Sequence, residues 1–339
     1  MSVTVDSSAV ARGSDIPGLA LALDPEAARR ALKRRLPRLS GEGKLRLKAI
    51  RFVRHKPGRR SLVEYEVEVD RPGFPKHRVT LLGKARAHRS GNEGFRLQQA
   101  LWQAGFQADS ADGISVPEPI GVISDFHMWF QRKVSGLTAE ELLPTAAETK
   151  LAGQIAKALH KLHRAAIPTD KGHHMEQELS ILHDCLAQVG RLYPQWANRL
   201  ERLSAACDRL GQSTPRPRVC GIHRDFYGAQ VLVDNTRVWL IDFDLYCQGD
   251  PALDAGNFIG HIKEQALREK GNPDGLLDVE QAFEEQFIHL TGEQVRGAVR
   301  AYTDLTLARH IYLSTKLVER THLTEQVLCL CEERILSRI

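Results

Sequence analysis

His223-Arg224-Asp225-Phe226-Tyr227-Gly228-Ala229-Gln230-Val231-Leu232, followed after a turn by Trp239-Leu240-Ile241-Asp242-Phe243-Asp244, decides how this chain is read. Val231-Leu232-Val233 and Val238-Trp239-Leu240-Ile241 are short runs rich in β-branched and aromatic residues. Asp234-Asn235-Thr236-Arg237 joins them, so they are predicted to form a tight hairpin. A hairpin returns the chain to its starting edge. Asp225, in the loop before the first strand, and Asp242, after the second, are therefore expected near each other.

Two carboxylates so placed suit phosphoryl transfer. One accepts the proton of an attacking hydroxyl and the other holds magnesium on the phosphates. Magnesium takes a few hard oxygen donors and keeps water on its other positions, so the side-chain carbonyl of Gln230 is enough to accompany Asp242. The competing reading of both aspartates is a pair of loop or helix caps in a non-enzyme.

Working outward, the first 15 residues are small and polar and read as a flexible tail. Asp24-Pro25-Glu26 starts a basic helix that runs to about Leu36. Between 44 and 87 the pattern becomes strands. Residues 62–69 alternate apolar and charged, as a half-exposed antiparallel strand does. Lys56-Pro57-Gly58 is the turn before it, and residues 71–75 break the chain before a third strand at 77–84. Residues 92–104 read as a helix with Glu93 on its apolar stripe beside Leu97 and Leu101. Two short strands are expected at 120–123 and 127–130. Helices then dominate, at 151–164, 175–192, 196–210 and from 253 onward, and the hairpin is their one β interruption. This divides the chain into a tail and basic helix (1–43), a β-rich lobe (44–131) and a helical lobe (132–339).

The His-x-Asp loop followed by an aspartate-phenylalanine strand end resembles the protein-kinase-like folds. Ile241-Asp242-Phe243-Asp244 and Gly249-Asp250-Pro251-Ala252-Leu253-Asp254 resemble the aminoglycoside phosphotransferase and choline kinase branch. Ala158-Leu159-His160-Lys161-Leu162-His163 and Val116-Pro117-Glu118-Pro119 are similar to that branch as well. The likeness covers residues 45–262 and is strongest over 221–254. It implies an α+β, two-lobed fold: a small antiparallel β-sheet lobe with one helix, and a larger, mainly helical lobe. It implies ATP with Mg²⁺ bound between the lobes and a small-molecule alcohol as phosphate acceptor.

In that resemblance Asp225 is the catalytic base and Asp242 the magnesium ligand. Gln230 stands where the family has asparagine. Lys84, at the end of the third strand, contacts the phosphates and pairs with Glu93, with Gln98 and Gln99 as fallbacks. Residues 130–134 form the hinge that reads the adenine edge. Gly58 and Arg59 lie in the nucleotide-covering turn, though a plain β-turn fits them equally. His223 is read as structural. Glu264, Glu284 and Glu285 could attract a cationic acceptor. Adjacent His173 and His174 point different ways and have no further spaced ligand, so they read as a helix entrance and not a metal site.

The chain has 339 residues, a formal net charge of +5 and a 42 % hydrophobic fraction, which excludes fibrous and disordered classes. The N-terminal apolar run at 16–23 is far short of a bilayer span. The six cysteines form no CxxC pair, so a reducing, cytoplasmic setting is expected, with no membrane partner. The cluster Arg29, Arg30, Lys33, Arg34, Arg35 and Arg38 reads as a solvated helix face, with nucleic-acid binding a minor alternative. The rival from another class is an inactive pseudokinase acting as a scaffold. Gln230 and the glycine-poor nucleotide turn favour it; the intact Asp225 and Asp242 oppose it.

Overall fold

The computed structural model describes residues 4–6, 16–41, 43–70, 72–73, 75–87, 92–145, 149–215, 218–235 and 237–337. The chain parts into two compact units between Ser135 and Gly136.

The first unit contains β1 (Thr4–Asp6), α1 (Leu19–Leu23), α2 (Pro25–Arg35), α3 (Pro37–Ser40), β2 (Lys44–Lys56), β3 (Arg60–Asp70), β4 (His77–Arg86), α4 (Asn92–Gln103), β5 (Ile114–Ser115), β6 (Pro119–Ile123) and β7 (Met128–Arg132). Strands β2-β3-β4-β7-β6 form an antiparallel sheet, and β1 joins its edge parallel to β2. Alternation along β3 sets the two faces. Val63, Tyr65, Val67 and Val69 are fully buried, and Glu64, Glu66 and Glu68 face the other way. Those glutamates pair across the strands with Arg51, Arg78 and Lys48 at 3.0–3.1 Å. Asp24 caps α2 by accepting the Ala27 N–H at 2.7 Å, with Pro25 in the first turn. Ala28, Ala31 and Leu32 on α2 join the sheet's core.

Two expectations change here. Residues 4–6, read as tail, form β1; residues 1–3 and 7–15 lie outside the described residues, as does the side chain of Arg38. Glu93, expected on the buried stripe of α4, is exposed, and Gln98 takes the inward position, donating to the Pro117 carbonyl at 2.7 Å. An amide can satisfy a buried carbonyl, and a carboxylate cannot.

The second unit contains β8 (Leu137–Thr138), α5 (Ala139–Leu142), α6 (Thr149–Arg164), β9 (Gly172–His173), α7 (Met175–Leu192), α8 (Ala197–Ser213), β10 (Cys220–Ile222), β11 (Val231–Asp234), β12 (Arg237–Leu240), β13 (Cys247–Gly249), α9 (Pro251–Lys270), α10 (Leu277–Thr291), α11 (Arg296–Ser314) and α12 (Thr324–Leu336). Helix α9 is its axis: residues 252–260 are all buried. Asp250 caps it through the Ala252 N–H at 2.8 Å, and Gly271 ends it at φ 67°. The hairpin is not the unit's only β structure. Strand β8 pairs with β11, and β10-β13-β9 form a second small sheet. No helix among the described residues is long and apolar enough to cross a membrane.

Candidate active site

The hairpin forms as the sequence predicts, with Val231 opposite Leu240 and Asp234 opposite Arg237; Thr236 lies outside the described residues. One pair beyond the strands, the Gln230 carbonyl accepts the Ile241 N–H at 3.0 Å. Gln230 and Asp242 thus leave the backbone at neighbouring positions of the hairpin's open end. The loop of Asp225 is tied to the same end. His223 Nε2 donates to the Ile241 carbonyl at 2.9 Å, and its ring packs between Phe226 and Phe243.

Two residues of this site hold left-handed backbone, Arg224 (φ 68°) and Asp242 (φ 61°). Such conformations persist where surrounding contacts impose them. Buried Asp254 imposes the first: its oxygens accept the N–H groups of His223 (2.7 Å) and Arg224 (2.6 Å), and His163 Nε2 donates to it at 2.9 Å. One turn further along α9, Asn257 donates to the Phe226 carbonyl at 2.9 Å. Arg309 on α11 holds the Asn257 oxygen at 2.6 Å and Glu178 at 2.7 Å. His173 also bonds Glu178, at 2.7 Å, so it is a structural partner there. Sequence reading assigned no role to Asn257, Arg309 or Glu178. The available signal was two polar residues, Asp254 and Asn257, on one face of a helix otherwise apolar at that level.

Tyr227 reports the charge around Asp225. Burial pushes its phenol up, and the carboxylates of Asp225, Glu140 and Asp242 push the same way; a hydrogen bond to Gln230 opposes them. Glu140, which the sequence did not single out, reaches this spot because α5 abuts the turn at Gly228, where a Cβ would meet the Glu140 backbone N at 2.8 Å. Burial also holds the Asp250 carboxyl up at about 6. Among the described residues no three His, Cys, Asp or Glu side chains cluster as a self-contained metal cage. The donors present at the hairpin's open end, the Asp242 carboxylate and the Gln230 amide, are instead of the kind magnesium takes while keeping several waters.

In the first unit, the Lys84 ammonium lies 5.0 Å from the centre of the Trp129 ring. The same indole lies against Gly94, so the start of α4, with Glu93, comes to the Trp129 that Lys84 covers. Gly58 (φ 63°) and Arg59 form the tight turn between β2 and β3, and the Arg59 N–H is already bonded to the Lys56 carbonyl at 3.0 Å. In the expected hinge, the Arg132 and Lys133 N–H groups bond the Glu118 and Thr80 carbonyls at 2.9 and 2.8 Å.

The acidic residues expected to draw a cationic acceptor do not present free charge. Glu264 is buried and its Oε1 takes both Arg268 (3.2 Å) and Arg320 (3.5 Å). Glu284 and Glu285 share Arg296.

A family model described as the phosphotransferase enzyme family matches residues 79–298. Among solved structures, a choline/ethanolamine kinase family protein from Mesorhizobium loti is similar at 16 % identity and TM-score 0.54, covering 91 % of this chain and 94 % of that one. Choline kinase from Cryptosporidium parvum gives 13 % and 0.55, covering 92 % and 95 %. A thermostable mutant of aminoglycoside phosphotransferase APH(4)-Ia, solved with ADP and hygromycin B, gives 14 % and 0.57, covering 86 % and 94 %. These likenesses establish a kinase-like α+β fold. No curated protein matches the chain.

Proposed function

The chain belongs to the phosphotransferase enzyme family, and from that premise we propose that it is a small-molecule kinase moving the γ-phosphate of ATP to an alcohol. The observation that carries the reading is the hairpin's open end, where the Gln230–Ile241 and His223–Ile241 bonds bring the loop of Asp225 beside Asp242.

Asp225 orients the acceptor hydroxyl and takes its proton. The hydroxyl oxygen forms a bond to the γ-phosphorus as the bridging bond to the β-phosphate breaks, and ADP leaves with the bridging oxygen. Asp242 and Gln230 would hold Mg²⁺, which supplies neutralising charge to the phosphates. In the first unit, Lys84, with exposed Glu93 as its ionic partner, and the Gly58–Arg59 turn would supply cationic charge to a nucleotide. Most of the rate then comes from positioning and electrostatics. Asp254, Asn257 and Arg309 act by holding the Asp225 loop.

Calorimetric titration of ATP, with and without Mg²⁺, tests the reading. Magnesium-dependent binding that Asp242→Ala weakens is expected, and Asp225→Asn should keep binding while cutting transfer by roughly 10²–10⁴-fold. Absence of binding at millimolar nucleotide would overturn it in favour of a scaffold.

A further inference from the structure

Beside the catalytic loop, the Tyr227 ring stacks on His261, with centroids 4.5 Å apart and planes at 17°. His310 meets His261 edge-on at 4.4 Å and 80°. At Tyr227 the nearby charges are the carboxylates of Asp225, Glu140 and Asp242. Burial first, then His310 in the case of His261, and Arg309, Arg320 and Arg268 for both, push the His261 and His310 imidazoles down.

The three arginines differ in their commitments. Arg268 is engaged by Glu264, Glu140 and Glu269 at 3.1–3.3 Å. Arg309 is held by Glu178 and Asn257. Among the described residues, Arg320 has a single ion pair, through Nη1, to the Glu264 oxygen that Arg268 already uses. Its guanidinium offers five donors in a fork that matches an oxyanion. Glu264 sits behind it, with 6 % of its side chain exposed against 25 % for Arg320. The Nε2 of buried His310 has no hydrogen-bond partner among the described residues.

We propose that Arg320 receives a carboxylate or phosphate on the acceptor, so that the substrate is an anionic alcohol whose hydroxyl reaches Asp225 along the Tyr227–His261 wall. This rests on the phosphotransferase reading and reverses the charge expected from Glu264. A choline-like or aminoglycoside cation would bring like charge to the guanidinium.

Matched polyols test it by calorimetry on the full chain with ADP and Mg²⁺ present: D-gluconate (carboxylate), D-glucitol 6-phosphate (phosphate), D-glucitol (neutral) and N-methyl-D-glucamine (cation). At least one anion should bind about tenfold or more tightly than glucitol, the cation weakest, and the better anion identifies the oxyanion. Arg320→Gln should abolish that preference, and Arg320→Lys, which keeps charge without the fork, should retain part of it. Thermal melting checks that each variant is folded, and the lysine variant carries the test if the glutamine variant is not. Tightest binding by the cation, no anion binding at about 10 mM, or anion binding indifferent to both variants overturns the proposal. ADP titrated alone reads the parent proposal separately: loss of nucleotide binding sinks that reading, whereas intact nucleotide binding without anion preference sinks only this one.

Discussion

Oδ1 of Asp254 accepts the backbone N–H of Arg224 at 2.6 Å, and Arg224 is held at φ 68°. A buried carboxylate thereby fixes a left-handed residue immediately before Asp225. In Asp254→Asn one oxygen becomes an NH₂ that must face an N–H donor, leaving buried groups unsatisfied. We expect a loss of about 3 kcal/mol in urea unfolding, together with a fall in transfer rate larger than any fall in nucleotide affinity. Unchanged stability would mean that the loop holds its conformation without Asp254.

Asn257 and Arg309 form the second tether of the same loop, and their effects should be coupled. Asn257→Ala strands the Phe226 carbonyl and frees one arm of Arg309. Each single variant is expected to cost about 1–3 kcal/mol. The double variant Asn257→Ala/Arg309→Gln should cost less than the sum by about 0.5–3 kcal/mol. Strict additivity in chemical denaturation would show the two residues acting independently.

How much of this was legible in the sequence follows from contact range. The hairpin, the Asp24 cap and the long helices rest on local signals of capping, turn chemistry and periodicity, and they stand where expected. Glu93 shows the limit of periodicity: its spacing matched the apolar stripe, but the stripe's edge at the helix start is open to solvent. Strands β9, β10 and β13 are two or three residues long, too short to show alternation. Glu264 read as a free acid although Arg268, one turn along the same helix, pairs with it; only its second partner, Arg320, lies far along the chain on a different element. Glu140 and Arg309 likewise become part of the site only through packing, which no spacing rule reports.

Two buried groups give the stability a pH dependence of opposite sign. His310 is held down at about 3 by burial and neighbouring arginines. Between about 3 and 6.5 the unfolded chain binds a proton there and the native chain does not, so this group's contribution grows as pH rises, by about 3 kcal/mol from pH 4 to 7. Asp250, held at about 6 by burial, keeps its proton longer in the native state. Its contribution therefore falls as pH rises through about 4 to 6, by about 3 kcal/mol. His310→Gln should tilt the profile of unfolding free energy toward acid stability. Asp250→Asn, which retains a capping side chain, should tilt it toward neutral stability. Urea unfolding at pH 4, 5, 6 and 7 reads both, and parallel profiles for the two variants would refute the assignment.

At Gly256 helix α9 lies closer to α11 than at Gly260, and a glycine-to-alanine change there should act against its usual sign. In an open helix interior such a change gains about 1 kcal/mol. At Gly256 the added Cβ would lie 2.5 Å from Tyr302 Cβ and 2.7 Å from both the Thr303 N and the Val299 O of α11. Two of those atoms are backbone, so relief requires the helices to part. Gly256→Ala is therefore expected to destabilise by about 1–3 kcal/mol. Gly297, in the first turn of α11, has nothing within 4 Å of its would-be Cβ, and Gly297→Ala should be neutral or stabilising. Opposite shifts in thermal midpoint for the two variants are the expected result. If both shift upward, α9 can move away from α11 at little cost, and the Asn257–Arg309 contact one residue along would then be too loose to position the Asp225 loop.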